Sequence, residues 1–203
     1  MNNYGINIWS DDNFVIEDGL AKINHDCKPS LISIVKDIRK QDFKGPLLLR
    51  FPHITEKQIN TLYNTFNASI KEYDYKGNFN AVFLLKVNQL PNFIHPLINE
   101  GKKFNYGLEA GSKAELVIAM TYNNINSPIT VNGFKDKEMI HLGFIAKSMG
   151  HDITLIIEGL NELEMIIEVL NETKMEAPSI GLRVRLHSGG SGLWAKSGGI
   201  NSK

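Results

Sequence analysis

Cysteine is nearly absent: the 203 residues hold one, Cys27. That count excludes a disulfide framework or a thiolate metal site within the chain, and it is the usage of a reducing compartment. The six histidines (His25, His53, His95, His141, His151, His187) show no i, i+4 pair and no zinc-ligand spacing. A surplus of one charge is also missing, because Lys+Arg and Asp+Glu stand at 22 each. Nothing in that balance argues for nucleic acid or an anionic membrane as a partner. No apolar run approaches the ~18 residues of a membrane-spanning helix. Met1-Asn2-Asn3-Tyr4-Gly5 lacks the basic and apolar regions of a signal peptide. A soluble, cytoplasmic chain is expected. What is present is ordinary for a globular protein with a sizeable core: 42% hydrophobic and 22% charged residues.

Residues 1–45 read as an irregular, β-rich segment. Ile6-Asn7-Ile8-Trp9 and Phe14-Val15-Ile16 alternate like short strands, with Asp11-Asp12-Asn13 as the turn between them. Pro29 to Lys40 has helical spacing, with Leu31, Ile34, Val35 and Ile38 on one face. Pro46 to Phe51 reads as a strand closed by Pro52, and Thr55 with Gln58 forms a capping box for a helix whose apolar face is Ile59, Leu62, Tyr63 and Phe66.

From Ala81 the pattern is regular. Strands at 81–87, Lys103–Glu109, Pro128–Asn132, Asp152–Ile157 and Pro178–Leu186 alternate with amphipathic helices. Those helices fall near 91–101, from the capping box Ser112-Lys113-Ala114-Glu115, from Asp136 to a stop at Gly150, and from Leu160 to Lys174. Strands recurring about every 25 residues between helices mark repeated βα units on a parallel sheet. A doubly wound sheet would carry a Gly-rich phosphate turn after its first strand, and here Lys86-Val87-Asn88-Gln89 follows. The reading is therefore the front part of a (β/α)8 barrel, about five of its eight strands, cut off in a loop.

The candidate chemistry lies at strand ends. Lys86 ends the apolar run Ala81–Leu85, where a desolvated amine would be a nucleophile towards carbonyls, whereas a snorkelling lysine would have no such role. Gly107-Leu108-Glu109-Ala110-Gly111-Ser112 ends a strand and opens a helix, a place where backbone can approach a ligand; Glu109 could orient or protonate something bound there. Arg183 and Arg185 are two apart on the last strand and share a side; if that side is the barrel interior, one could pair with an anionic cofactor group or with Glu109, the alternative being a structural salt bridge. Gly190 to Ser197 mimics a phosphate-binding P-loop, but Ala195 stands at the second-glycine position and Ser-Gly-Gly follows instead of a helix. It reads as a loop at the C-terminal end of a strand, where barrel enzymes contact substrate. His187 is the one histidine at that end, and Cys27 reads as an idle thiol.

Six blocks together resemble the biosynthetic arginine decarboxylases, pyridoxal-phosphate enzymes with an alanine-racemase-like barrel (fold type III). They are Leu47-Leu48-Leu49-Arg50-Phe51-Pro52, Glu72-Tyr73-Asp74-Tyr75-Lys76-Gly77, Leu85-Lys86-Val87-Asn88-Gln89, Gly107–Lys113, Asn132-Gly133-Phe134-Lys135-Asp136 and Gly181–Leu186. The ending Ser197-Gly198-Gly199 with Ser202-Lys203 also looks like a loop of that family.

The resemblance implies an α/β fold in which 46–203 is the N-terminal portion of a pyridoxal-phosphate barrel. It implies a lyase that decarboxylates L-arginine to agmatine for polyamine (spermidine) synthesis, with Lys86 holding pyridoxal phosphate as a Schiff base. Glu109 falls where the wider family keeps an acidic residue near the cofactor, and Arg183 or Arg185 at an arginine position close to it. Ser112 and Glu115 belong to the same block as Glu109. The family is homo-oligomeric and carries a magnesium requirement, for which no site is indicated. The family's ring-stacking histidine, Gly-rich phosphate loop, acidic partner of the pyridine nitrogen, catalytic cysteine and C-terminal β-domain have no counterpart here, so an incomplete chain, inactive by itself, is expected. Two other readings stay open: a non-catalytic pyridoxal-phosphate-binding barrel, and a related decarboxylase of another basic or dicarboxylic amino acid.

Overall fold

Aspartate followed by glycine favours a two-residue hairpin turn, because both positions tolerate positive φ. In a computed structural model of the chain, which describes residues 5–184, Asp18 and Gly19 take φ of 53° and 73°. They join two antiparallel strands, β1 (Phe14–Glu17) and β2 (Leu20–Ile23). The hairpin expected across Asp11–Asn13 is therefore displaced by one element. Ile6–Trp9 is a single helical turn, α1, entered from Gly5 at φ 66°. Four residues alternate too briefly to distinguish strand from helix, and Ser10 N–H closes the turn onto the Ile6 carbonyl. Helix α2 (Leu31–Arg39) follows, its Ser30 N-cap hydroxyl accepting from Ser33 N–H at 3.1 Å.

Two compact units are present, Met1–Ile54 and Thr55–Lys203. Pro46–Phe51 is not a strand. Leu47, Leu49 and Phe51 are half-buried and Leu48 and Arg50 exposed, which is strand-like alternation, but no ladder forms. Helix α3 runs Pro52–Glu72, so it opens on Pro52 and not on a Thr55 cap; proline's fixed φ suits a first helical position.

In the second unit a five-stranded parallel sheet runs β3 (Val82–Leu84), β4 (Gly107–Ala110), β5 (Pro128–Val131), β6 (Asp152–Ile157) and β7 (Ser179–Leu182), in that spatial order. Helices α4 (Pro91–Gly101), α5 (Lys113–Tyr122), α6 (Lys137–Ser148) and α7 (Leu160–Thr173) connect them. The βα pattern is as expected, with shorter strands. Lys86 lies in a 3-10 turn, Leu85–Val87, and Lys102–Phe104 is a second such turn ahead of β4. Ser112 and Asp136 cap α5 and α6 as their positions predict, accepting from Glu115 N–H at 3.3 Å and Met139 N–H at 2.9 Å. Gly150, at φ 91°, ends α6.

The register divides the sheet into two faces. Leu108, Ala110, Ile129, Val131, Ile153 and Leu155 are fully buried and face the helices. Each of the leucine, isoleucine and valine side chains among them contributes roughly 1.5–3 kcal/mol by leaving water. Helix α6 comes close over β6 because Gly143 has no side chain; a Cβ there would lie 2.9 Å from Leu155 Cδ2. The opposite face carries the row Leu84, Glu109, Thr130, Thr154 and Ser179. At its rim, Tyr63 of α3 stacks on Phe104 at 4.4 Å and its hydroxyl accepts from Ala81 N–H at 3.1 Å, tying the helix to the start of β3. No helix among the described residues is long and apolar enough to cross a membrane.

Candidate active site

In a parallel sheet every strand ends on the same side, so the loops after β3 to β6 and the residues directly after β7 meet at one face. Lys86 follows β3 on that face. Leu85, fully buried, anchors the 3-10 turn, and Lys86 and Val87 stand exposed. Of the two readings, a desolvated amine and a lysine reaching into solvent, the structure gives an exposed side chain, on a turn beyond the ladder. Asn88 Oδ1 accepts from Leu90 N–H at 3.1 Å and starts α4.

From here a belt of polar contacts crosses the face. Gln89 Nε2 donates to Glu115 Oε1 at 3.3 Å. Glu115 Oε2 accepts from Gly111 N–H at 2.7 Å, so the capping box closes on the residue before the cap. Asn132 N–H donates to the Ala110 carbonyl at 2.9 Å and carries the link to the loop after β5. Gly133, at φ 88°, turns that loop; its N–H is shared between Asn132 Oδ1 (3.0 Å) and Glu158 Oε1 (2.7 Å). Glu158 Oε1 also accepts from Arg183 Nη1 at 3.0 Å, just beyond β7. Arg183 extends the ladder by one bond, its N–H donating to the Ile157 carbonyl.

Beneath the belt lies a buried ion pair. Lys135 Nζ sits 3.0 Å from Glu162 Oε2, with side chains 0% and 2% exposed. The ammonium also donates to the Gly133 carbonyl at 2.6 Å, while Glu162 accepts from the backbone N–H of Lys135 (2.9 Å) and of Glu158 (3.0 Å). A buried pair is tolerated when its remaining hydrogen-bonding capacity is satisfied in this way. Outside the sheet, Lys113 bridges Asp136 (2.8 Å) and Glu138 (2.6 Å). The Lys113 contact, reinforced by Met139 N–H, holds the Asp136 carboxyl below its usual range.

Glu109 is half-buried on the open face, level with Leu84 and Thr130. It does not pair with Arg183, whose carboxylate partner is Glu158. Lys86 and Arg183 follow the two edge strands, about 19 Å apart if the sheet were flat, and the structure shows no contact joining them. Arg185, His187 and the Gly190–Ser197 run lie outside the described residues. Cys27 is exposed. Among the described residues, no group of three or more His, Cys, Asp or Glu is placed to hold a metal ion.

Lys135, Glu158 and Glu162 escaped sequence reasoning. A signal for Glu162 was there: it is four and seven residues before Ile166 and Val169, on the buried stripe of α7. A carboxylate on such a stripe needs a buried partner.

No family model matches the chain. A biosynthetic arginine decarboxylase of Prochlorococcus marinus (strain AS9601) is 37% identical over 209 residues, covering 100% of this chain and 32% of that protein. The crystal structure of the biosynthetic arginine decarboxylase of Campylobacter jejuni matches with a TM-score of 0.90 and 60% identity, over 92% of this chain and 32% of that one. Diaminopimelate decarboxylase from M. jannaschi matches with a TM-score of 0.63 and 25% identity, over 86% of this chain and 36% of that one. The chain thus spans about a third of the length of the curated relatives it matches. Sequence along the whole chain and fold across most of it are similar to those of the biosynthetic arginine decarboxylases, over about one third of their length.

Proposed function

We propose that this chain supplies the lysine-bearing part of a pyridoxal-phosphate-dependent decarboxylase that acts on L-arginine and yields agmatine for polyamine synthesis. The observation that carries the reading is Lys86: an exposed amine at the C-terminal end of a parallel strand, in a chain similar to biosynthetic arginine decarboxylases. One feature supports the fit to the cofactor. An amine that attaches to an aldehyde must be reachable, and Lys86 is. When bound, pyridoxal phosphate supplies an electron sink for the bond that breaks as CO2 leaves.

The chain's own residues do the positioning. Lys86 holds the cofactor through Nζ, on a turn pinned by buried Leu85 and by the Gln89–Glu115 contact. Glu109 brings a carboxylate to the open face, where it orients or protonates a bound group. Arg183, with Arg185 as a second candidate, offers a guanidinium to an anionic group. The Ser112 hydroxyl accepts from Glu115 N–H as a cap and keeps its own proton to donate. The setting inferred is cytoplasmic and the assembly homo-oligomeric, as in the family. Magnesium, also expected from the family, enters no step here.

Borohydride reduction of the chain with pyridoxal phosphate, followed by peptide mapping, tests the lysine. Label on Lys86 is expected; label confined to other lysines overturns the assignment. L-arginine added before reduction should lower the Lys86 label, whereas diaminopimelate should not. Equal effects of the two amino acids would overturn the substrate assignment and favour the non-catalytic reading.

A further inference from the structure

Arg183 is useful to a ligand only if its guanidinium is held in place, and the structure shows what holds it. Glu158 directly follows β6, its side chain is 7% exposed, and one oxygen, Oε1, accepts both from Arg183 Nη1 and from Gly133 N–H. The Arg183 side chain is 40% exposed, so a buried carboxylate fixes a half-open cation. Glu158 is itself fixed from below, since its backbone N–H donates to Glu162 Oε2, which also takes the Lys135 ammonium. Lys135 ties the same pair to the Gly133 carbonyl. Gly133 is therefore held from both sides, N–H by Glu158 and C=O by Lys135, at a φ of 88° that suits glycine. The arrangement links the ends of β5, β6 and β7 into one unit whose outermost group is the guanidinium.

We propose that Glu158 is a positioning residue: it sets Arg183 at the strand-end face so that the guanidinium meets an anionic group of the cofactor bound at Lys86, and the Lys135–Glu162 pair is its footing. This rests on the functional reading above. In its effect on the cofactor Glu158 acts through Arg183, while its bond to Gly133 N–H bears on the fold, so removing both should cost uptake no more than removing Glu158 alone.

The test is uptake of pyridoxal phosphate by the full chain, read as borohydride-trapped label on Lys86 against cofactor concentration. Glu158→Ala and Arg183→Gln should each raise the half-saturating concentration about tenfold, the scale of one hydrogen bond to a charged group. The double variant should match the single ones. Glu158→Gln, which keeps an acceptor for Gly133 N–H but loses the charge, should fall between wild type and Glu158→Ala with an unchanged thermal midpoint. Unchanged uptake in Glu158→Ala, or losses that add in the double variant, overturn the positioning role. Wild-type chain that takes no label at Lys86 overturns the functional reading itself, which is a different result. A drop in uptake that follows the thermal midpoint across all variants would mean a structural role only and would also sink the proposal.

Discussion

Replacing Glu162 with glutamine keeps its shape and removes its charge, at a site where the pair's side chains are 0% and 2% exposed. Lys135 would then lose its counter-charge, keeping the Gly133 carbonyl and at most a neutral amide oxygen, and its positive charge would be left uncompensated in the interior. The glutamine has one oxygen where the carboxylate used two, so one of the N–H groups of Lys135 and Glu158 loses its acceptor. Removing one member of a buried pair costs about 3–5 kcal/mol, and an orphaned buried N–H about 1–3 kcal/mol. Local relaxation offsets part of the sum, so Glu162→Gln should lower the unfolding free energy by about 3–5 kcal/mol. Urea unfolding followed by far-UV circular dichroism at neutral pH reads it as a shifted midpoint with an unchanged slope. Lys135→Met with Glu162→Gln removes both charges of the pair and should return to within about 2 kcal/mol of wild type. Lys113→Met, which breaks the exposed bridges to Asp136 and Glu138, should cost only about 0–1 kcal/mol. If Glu162→Gln costs no more than Lys113→Met, the buried pair does not hold this face together and the reasoning fails.

Lys86→Ala should abolish the trapped pyridoxal label and, the side chain being exposed, shift unfolding by no more than about 0.5 kcal/mol; loss of folding instead would show Lys86 to be structural. Burial holds the His151 imidazole below its ordinary 6.5, more than the Met120 backbone bond raises it. The unfolded chain then takes up the proton first, so stability is full above about pH 6.5 and declines as pH falls through the folded-state value. His151→Phe should flatten that part of a stability-against-pH curve, and an unaltered slope would contradict it. Gly133→Ala places a Cβ 3.4 Å from the Gly111 carbonyl at a φ of 88° and should cost about 1–2 kcal/mol by thermal unfolding; a neutral result would mean the loop relaxes freely.

Much of the second unit was legible because its signals are local. Ser112 and Asp136 are cap residues by chemistry, and each stands where its helix begins. The period of the apolar runs separates Asp152–Ile157 as a strand from Leu160–Thr173 as a helix. Elsewhere the same cues misled. Pro46–Phe51 alternates like a strand, but a strand exists only with a partner, and among the described residues no ladder forms there. Ile6–Trp9 alternates over too few residues, while the hairpin signal lies in Asp18-Gly19.

By itself the sequence determined the βα order, the helix caps and the place of Lys86 after a strand, because propensity, capping and side-chain period act within a few residues. The six blocks carried the resemblance to arginine decarboxylases. Only the tertiary structure decided that Lys86 sits on an exposed turn, that Arg183 is held by Glu158 and not Glu109, and that Lys135 and Glu162 pair beneath them. Those partners are 25 and 27 residues apart and meet because parallel strands bring successive loops to one face. A carboxylate's partner is chosen there by burial, which makes an unpaired charge costly, and burial is a property of the packed sheet.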